Sequence, residues 1–265
     1  MIANAEAKSE RPRVVVIDIG NSSIAVGAWG DGQVSRVSRA PTWDGRAFAA
    51  AFDGVCGCLP QGRPAAIVVG SVVPAALDRV VARVKETVGL DARIVGADVA
   101  LPIDVDLQSP ESVGVDRVCC AAAAFDHVRQ ACTVVDFGSA VTVDVVGDDG
   151  RFLGGAILPG AGMQARALGE FAAQLPRAEI RFPSGPIGRD TISAIQSGIC
   201  HGIAGAVRGI VEAVATEVGK WPQVVGTGGD LALFTPHCDF LDSAVPDLCL
   251  MGIGLAWVRQ TGKSE

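Results

Sequence analysis

Residues 14–33 read VVVIDIGNSSIAVGAWGDGQ, and residues 132–151 read CTVVDFGSAVTVDVVGDDGR. Each stretch opens as a β-branched run that ends in an acid, Asp18 or Asp136. An x-Gly step and small hydroxylated residues follow, then a second alternating segment, then an Asp-Gly turn. Asp18 precedes Gly32 by the same interval that separates Asp136 from Gly150. Such apolar runs read as core strands, where an ionised carboxylate is seldom placed without a partner. The patterning predicts that each half opens with a β-hairpin closed by a tight turn.

The halves continue alike. In the first, AFAAAF reads as a helix, AAIVVGSVVP as a strand entering a turn, and AALDRVVARVKETVG as an amphipathic helix. In the second, DTISAIQSGICHGIAGAVRGIVEAVATEVG reads as one long or two short helices. PQVVGTGGD then reads as a strand into a glycine turn, and LALFTP as the start of another helix. The expected fold is α/β, in two similar domains spanning residues 12–129 and 130–259. Residues 1–12 read as a mobile tail.

Composition narrows the class. The chain has 265 residues, 49% hydrophobic and 19% charged, enough for a sizeable core in two medium domains. A net charge of −7 argues against a general nucleic-acid or anionic-membrane surface, though a local site can still hold a small anion. No run reads as a membrane span and no N-terminal stretch reads as a signal peptide, so the expected location is cytoplasmic. Cys56 and Cys58 are one residue apart and Cys119 and Cys120 adjacent, which is not the ligand spacing of a structural zinc site. The cysteines therefore read as reduced core or surface thiols.

Taken singly, DIGNSS and DFGSA are each compatible with a plain turn. Repeated at the same place in both halves, they read as two phosphate loops. A glycine lets a ligand approach the main chain, N–H and hydroxyl groups donate to phosphate oxygens, and a carboxylate holds a cation. Between them, SPESVGVDRVCCAAAAF (residues 109–125) places Gly114 and Val115 in a turn and Asp116 in the first turn of a helix. Asp116 there is either an acid facing the helix dipole or a general base, and Arg117 either solvated or a carboxylate clamp.

The paired loops, with VVGTGGD (residues 224–230) as an adenosine-side turn, resemble the sugar kinase, heat-shock ATPase and actin superfamily. That likeness implies two similar ribonuclease H-like domains with a nucleotide cleft between them. More narrowly, DIGNSS, GSVVP, SPESVGVDR, DFGSAVTVD, GGAILPGAGMQARAL, IGRDTISAIQSG and GTGGD, in this order from about Val14 to Trp257, resemble type III pantothenate kinases. The resemblance implies ATP-dependent phosphorylation of pantothenate, the first step toward coenzyme A, by a homodimer. Mg2+ would accompany the nucleotide, with a monovalent cation, K+ or NH4+. By motif, Asp18, Ile19, Gly20, Asn21, Ser22, Ser23, Ile24 and Ala25 form the first ATP loop, and Ser139 contacts phosphate from the second. Asp116 is the catalytic base. Leu107, Gly114, Val115, Asp116, Arg117 and Thr191 bind the substrate, and Asp136 is the monovalent-cation ligand. Ala25 stands where the family usually has Lys, and Leu107 where it usually has Tyr. Two other readings follow from those departures: a kinase for another small hydroxy acid, and a catalytically silent binding or regulatory relative.

Overall fold

The computed structural model describes residues 14–59 and 62–262; the tail expected at residues 1–12 lies outside them. The chain packs as two units. The first runs to Pro102 and takes in Gly114–Cys119 and the chain from Cys249 onward; the second comprises Ile103–Val113 and Cys120–Leu248. A single cut between residues 129 and 130 is therefore not how the chain divides. The reason is local: Leu250, Ile253 and Ala256, near the C-terminus, bury with Val16, Trp29 and Val68 of the first sheet.

In the first unit, β1 (Val14–Ile19), β2 (Ser23–Gly30) and β3 (Gln33–Pro41) form an antiparallel meander. Asp31 and Gly32, with φ of 51° and 72°, make the left-handed two-residue turn the Asp-Gly pair predicts. Helix α1 (Gly45–Gly57) follows, its first N–H groups capped by Asp44. Strand β4 (Ala66–Ser71) returns parallel to β1. Helix α2 (Pro74–Val88) starts on proline and ends on Gly89 at φ 73°. The short β5 (Arg93–Ile94) completes a sheet of order β3-β2-β1-β4-β5.

Helix α3 (Val115–Val128) leads into the second sheet. Strands β6 (Cys132–Phe137), β7 (Ala140–Val146) and β8 (Phe152–Pro159) repeat the antiparallel meander. Helices α4 (Ala161–Phe171) and α5 (Thr191–Val218) come next, then β9 (Gln223–Thr227), parallel to β6. Helix α6 (Leu231–Phe234), β10 (Ser243–Ala244) and α7 (Leu248–Thr261) complete the chain. The second sheet has order β8-β7-β6-β9-β10, strand for strand the order of the first. Two similar α/β domains, as the repeat implies, are what forms.

The segment that read as one or two helices is one 28-residue helix, α5. Its entry is fixed by a capping box in which Asp190 and Ser193 satisfy each other's backbone N–H, and its exit by Gly219. By length and composition α5 is just apolar enough to cross a membrane, but it carries Arg208 and Glu212, and Ile199, Ile203, Val207 and Val211 are buried in the second core.

One face of each sheet is sealed by a large core. Val15, Ile17, Ile19, Val69 and Phe52 lead that of the first sheet, and Val135, Phe137, Val143, Ile203 and Phe234 that of the second. Period-two alternation then places Asp18 on the opposite face of its strand, and Asp136 on that of its own.

Candidate active site

Asp18 is the fifth of six residues in β1, and Asp136 is the fifth of six in β6. Register pairs Asp18 with Ala25 on β2 and Gly70 on β4. It pairs Asp136 with Thr142 on β7 and Thr227 on β9. Both acids thus stand at the carboxyl end of a parallel strand pair, where open α/β sheets hold their ligands.

In the first unit the loop after Asp18 is tightly tied. The Gly20 N–H donates to Ser23 O at 3.0 Å and the Thr42 N–H to Ser22 O at 3.1 Å. The Thr42 hydroxyl donates to Gly20 O at 2.7 Å. Asn21, Ser22 and Ser23 are exposed, while Ile19, Ile24 and Ala25 are buried. These last three side chains belong to the cores, so any part they take in a loop site is through the main chain.

The same unit brings Asp116 to the end of β4. Val115 Cγ1 lies 4.0 Å from where a Cβ on Gly70, the residue paired with Asp18, would stand. The Asp116 carboxylate folds back over Gly114, where a Cβ would be 2.5 Å from its Oδ1 and 3.6 Å from Val72 Cγ1. Gly114 is thus the residue that gives Asp116 room. The Arg117 N–H donates to Asp116 Oδ1 at 2.8 Å. Burial raises the Asp116 pKa above the ordinary 3.8, outweighing that hydrogen bond and the Arg117 charge, which both lower it. A half-buried carboxylate with a raised pKa at a strand terminus is suited to accept a proton.

In the second unit, the Asp136 carboxylate occupies space that only glycine leaves. Its Oδ1 is 3.1 Å from a Cβ built on Gly138, and a Cβ on Gly228, whose φ is 103°, would overlap it. The Asp230 N–H donates to Phe137 O at 2.8 Å, which draws the glycine turn after β9 against the end of β6. Thr227, buried, and Thr142 share the Asp136 face of their sheet by register. The Thr142 hydroxyl donates to buried Asp144 at 2.9 Å. Asp144 lies over Gly155, where a Cβ would overlap the β7 main chain. Ser139, half-buried, accepts from the Gly160 N–H at 3.1 Å.

Leu107 and Thr191 take separate places in the second unit. Leu107 packs against β8, its Cδ2 3.1 Å from a Cβ built on Gly154, which sits at φ 104°. The preceding segment is fixed by paired bonds between Asp104, Asp106 and Phe152 and by the Arg151–Asp106 ion pair at 3.0 Å. Thr191 is the first residue of α5 and lines a cavity of about 950 Å³ with Gln164, Leu168, Phe171, Arg189 and Ile195.

The motifs single out the two acids and Asp116; Thr42 lies outside every motif, and Asp144, Gly160 and Thr227 lie within motifs without being singled out. A signal for two of these is present. Thr42 and Gly160 each follow a proline that ends the third strand of a meander, and each lies 24 residues after its acid.

Residues 14–213 match the family model of the type III pantothenate kinases. A type III pantothenate kinase from Brevibacillus brevis is 36% identical over 93% of this chain and 98% of its own length. One from Syntrophotalea carbinolica is 32% identical over 94% of this chain and all of its own. Among solved structures, the ethanolamine utilization protein EutJ from Carboxydothermus hydrogenoformans aligns with a TM-score of 0.53 at 16% identity, covering 91% of this chain and 88% of that one. Component A of (R)-2-hydroxyglutaryl-CoA dehydratase from Acidaminococcus fermentans aligns with a TM-score of 0.51 at 17% identity, over 92% and 95%. These last two likenesses speak to the fold alone.

Proposed function

The chain belongs to the type III pantothenate kinase family, and from that premise we propose that it transfers a phosphoryl group from ATP to the terminal hydroxyl of pantothenate, with Asp116 as general base. The observation that carries the catalytic assignment is Asp116 itself: an acid of raised pKa, given room by Gly114, at the end of the strand paired with Asp18. A carboxylate whose pKa is raised binds the acceptor proton more readily as the new bond forms. Arg117, beside it, carries the planar fork of donors that suits the substrate carboxylate. With Gly114 and Val115, Leu107 and Thr191 complete the proposed set of substrate contacts.

Phosphoryl transfer demands positioning and neutralised charge more than covalent chemistry. Asp18 and the exposed Asn21–Ser23 stretch supply one phosphate loop and Ser139 contributes to a second. The turn at Gly228–Asp230 is proposed for the adenosine side, and Mg2+ would accompany the phosphates. Asp136 is the proposed ligand for K+ or NH4+. The residues present fit such an ion: the carboxylate is cradled by Gly138 and Gly228, and the neighbouring donors are hydroxyl oxygens. Among the described residues no group of three or more His, Cys, Asp or Glu side chains gathers. That leaves hard oxygen donors of low total charge, a set for an alkali cation rather than a transition metal. Bound there, the cation would supply positive charge against the phosphates.

We also propose that the protein acts in the cytoplasm as a homodimer. Supporting this, Gly202, Gly205, Ala206, Gly209 and Ala213 line an exposed stripe of small residues along α5, opposite its buried Ile199, Ile203, Val207 and Val211.

ADP release assayed with ATP, Mg2+, pantothenate and K+ tests the reading. Pantothenate-dependent turnover in the wild type, lost in Asp116→Asn, is expected; turnover without pantothenate, or a fully active variant, contradicts it. Leu107 in place of the usual Tyr is the observation that favours a second acceptor, so other small hydroxy acids belong in the same assay. For the cation, Asp136→Ala is expected to lose activity most at limiting K+ and to lose the rise in Tm that K+ gives the wild type. An equal loss at every K+ concentration, with the K+ shift in Tm intact, would remove Asp136 from that role.

A further inference from the structure

Both phosphate loops are closed by the same device, and it lies outside the two loop motifs DIGNSS and DFGSA. The third strand of each meander ends in proline, Pro41 of β3 or Pro159 of β8. The next residue turns its backbone N–H onto the carbonyl of the serine that precedes the second strand: Thr42 onto Ser22 and Gly160 onto Ser139, each at 3.1 Å. The first loop has three residues between strands and the second has two. That difference explains the difference in clasp residue. In the longer loop the Thr42 hydroxyl reaches in to Gly20 O at 2.7 Å; in the shorter one the main chain closes directly over position 160, where any Cβ would overlap Gly138 O.

The Thr42 clasp sets the direction of a donor. A trans peptide holds its C=O and the following N–H antiparallel. With Gly20 O turned onto Thr42, the N–H of Asn21 points the opposite way, at an exposed residue of the loop. Thr42 is itself 8% exposed, and Arg79 of α2 donates to its carbonyl at 3.2 Å, so the clasp is anchored to a helix as well as to a strand.

We propose that Thr42 and Gly160 are paired positioning residues, each holding its loop in the conformation that presents main-chain donors to nucleotide phosphate. This rests on the reading of these loops as ATP loops. The test compares Thr42→Val, which keeps shape and removes the hydroxyl, with Thr42→Ser, which keeps the hydroxyl, each in the intact protein. Loss of one neutral hydrogen bond predicts that Thr42→Val raises KM for ATP about fivefold to tenfold. Its KM for pantothenate stays at the wild-type value, and Thr42→Ser restores ATP affinity. Amide exchange at residues 20–23 speeds up in Thr42→Val and slows when a non-hydrolysable ATP analogue is added. Should Thr42→Val not fold, Arg79→Met, which loosens the clasp from outside, takes its place with a smaller shift of the same sign. An unchanged KM for ATP, equal rises for both substrates, or no rescue by serine would overturn the proposal. A wild-type protein that does not use ATP at all would instead overturn the reading beneath it.

Discussion

Asp116 carries a conflict visible at the scale of one residue. The first turn of a helix and the Arg117 N–H favour its ionised form, yet burial wins and its pKa is raised. Linkage fixes the sign of the consequence. A carboxyl whose folded pKa lies above its unfolded value costs the fold nothing at pH well below 3.8. The cost grows as pH rises through that value and is complete above the folded pKa. Asp116→Asn is therefore expected to abolish turnover and yet raise Tm at pH 7, the gain disappearing at pH 3; calorimetry across that range measures it. Wild-type kcat is expected to fall on the acid side at a pH above the usual carboxylate range, and Asp116→Glu to keep an acid limb. Asp18, Asp116 and Asp136 were legible because a carboxylate at the end of an apolar strand, or beside a glycine turn, is conspicuous. Thr42 was not, because its hydroxyl bond spans 22 residues and involves only a main-chain carbonyl. Likewise Gly155 owes its place to Asp144 on the neighbouring strand, which nothing in GGAILPG discloses.

Among the elements, the meanders, α2, α3 and the strand into the glycine turn follow directly from period and turn chemistry. What a single sequence conceals is where an apolar helix docks. Helix α7 shows the point: its sequence is apolar around most of its circumference, so periodicity offers no preferred face. Its two glycines carry the missing information. A Cβ on Gly252 would overlap the Cys119 main chain of α3, and one on Gly254 would overlap the Trp29 ring of β2. Close approach of α7 to α3 and to the first sheet thus depends on both positions. Gly252→Ala is expected to lower unfolding free energy by about 2–3 kcal/mol, since backbone cannot yield as a side-chain tip can. Gly209→Ala in α5, with open space around its Cβ position, is expected to leave a single protomer's stability unchanged or slightly raised through helix propensity. Denaturant titration of both variants checks the contrast; similar values would mean the α7 contact is looser than described.

For the whole molecule, the repeat of a strand, an acid, a glycine turn and a meander is the legible feature, and it yields two sheets of identical strand order. The return of the C-terminal helix to the first unit was not legible, because it depends on surfaces that exist only after folding. The same holds for assembly: exposed glycines and alanines on α5 become informative only once the helix's buried side is known. Ala213→Arg on that stripe is expected to convert a dimeric sedimentation profile to a monomeric one, and a wild-type monomer would remove the homodimer from the account. The most direct test of the central claim is to identify the product. Purified protein with ATP, Mg2+, K+ and pantothenate is expected to yield pantothenate bearing one phosphoryl group on its terminal hydroxyl, seen by mass spectrometry and phosphorus NMR, and Asp116→Asn to yield none. ATP consumed with pantothenate recovered unmodified would contradict the account.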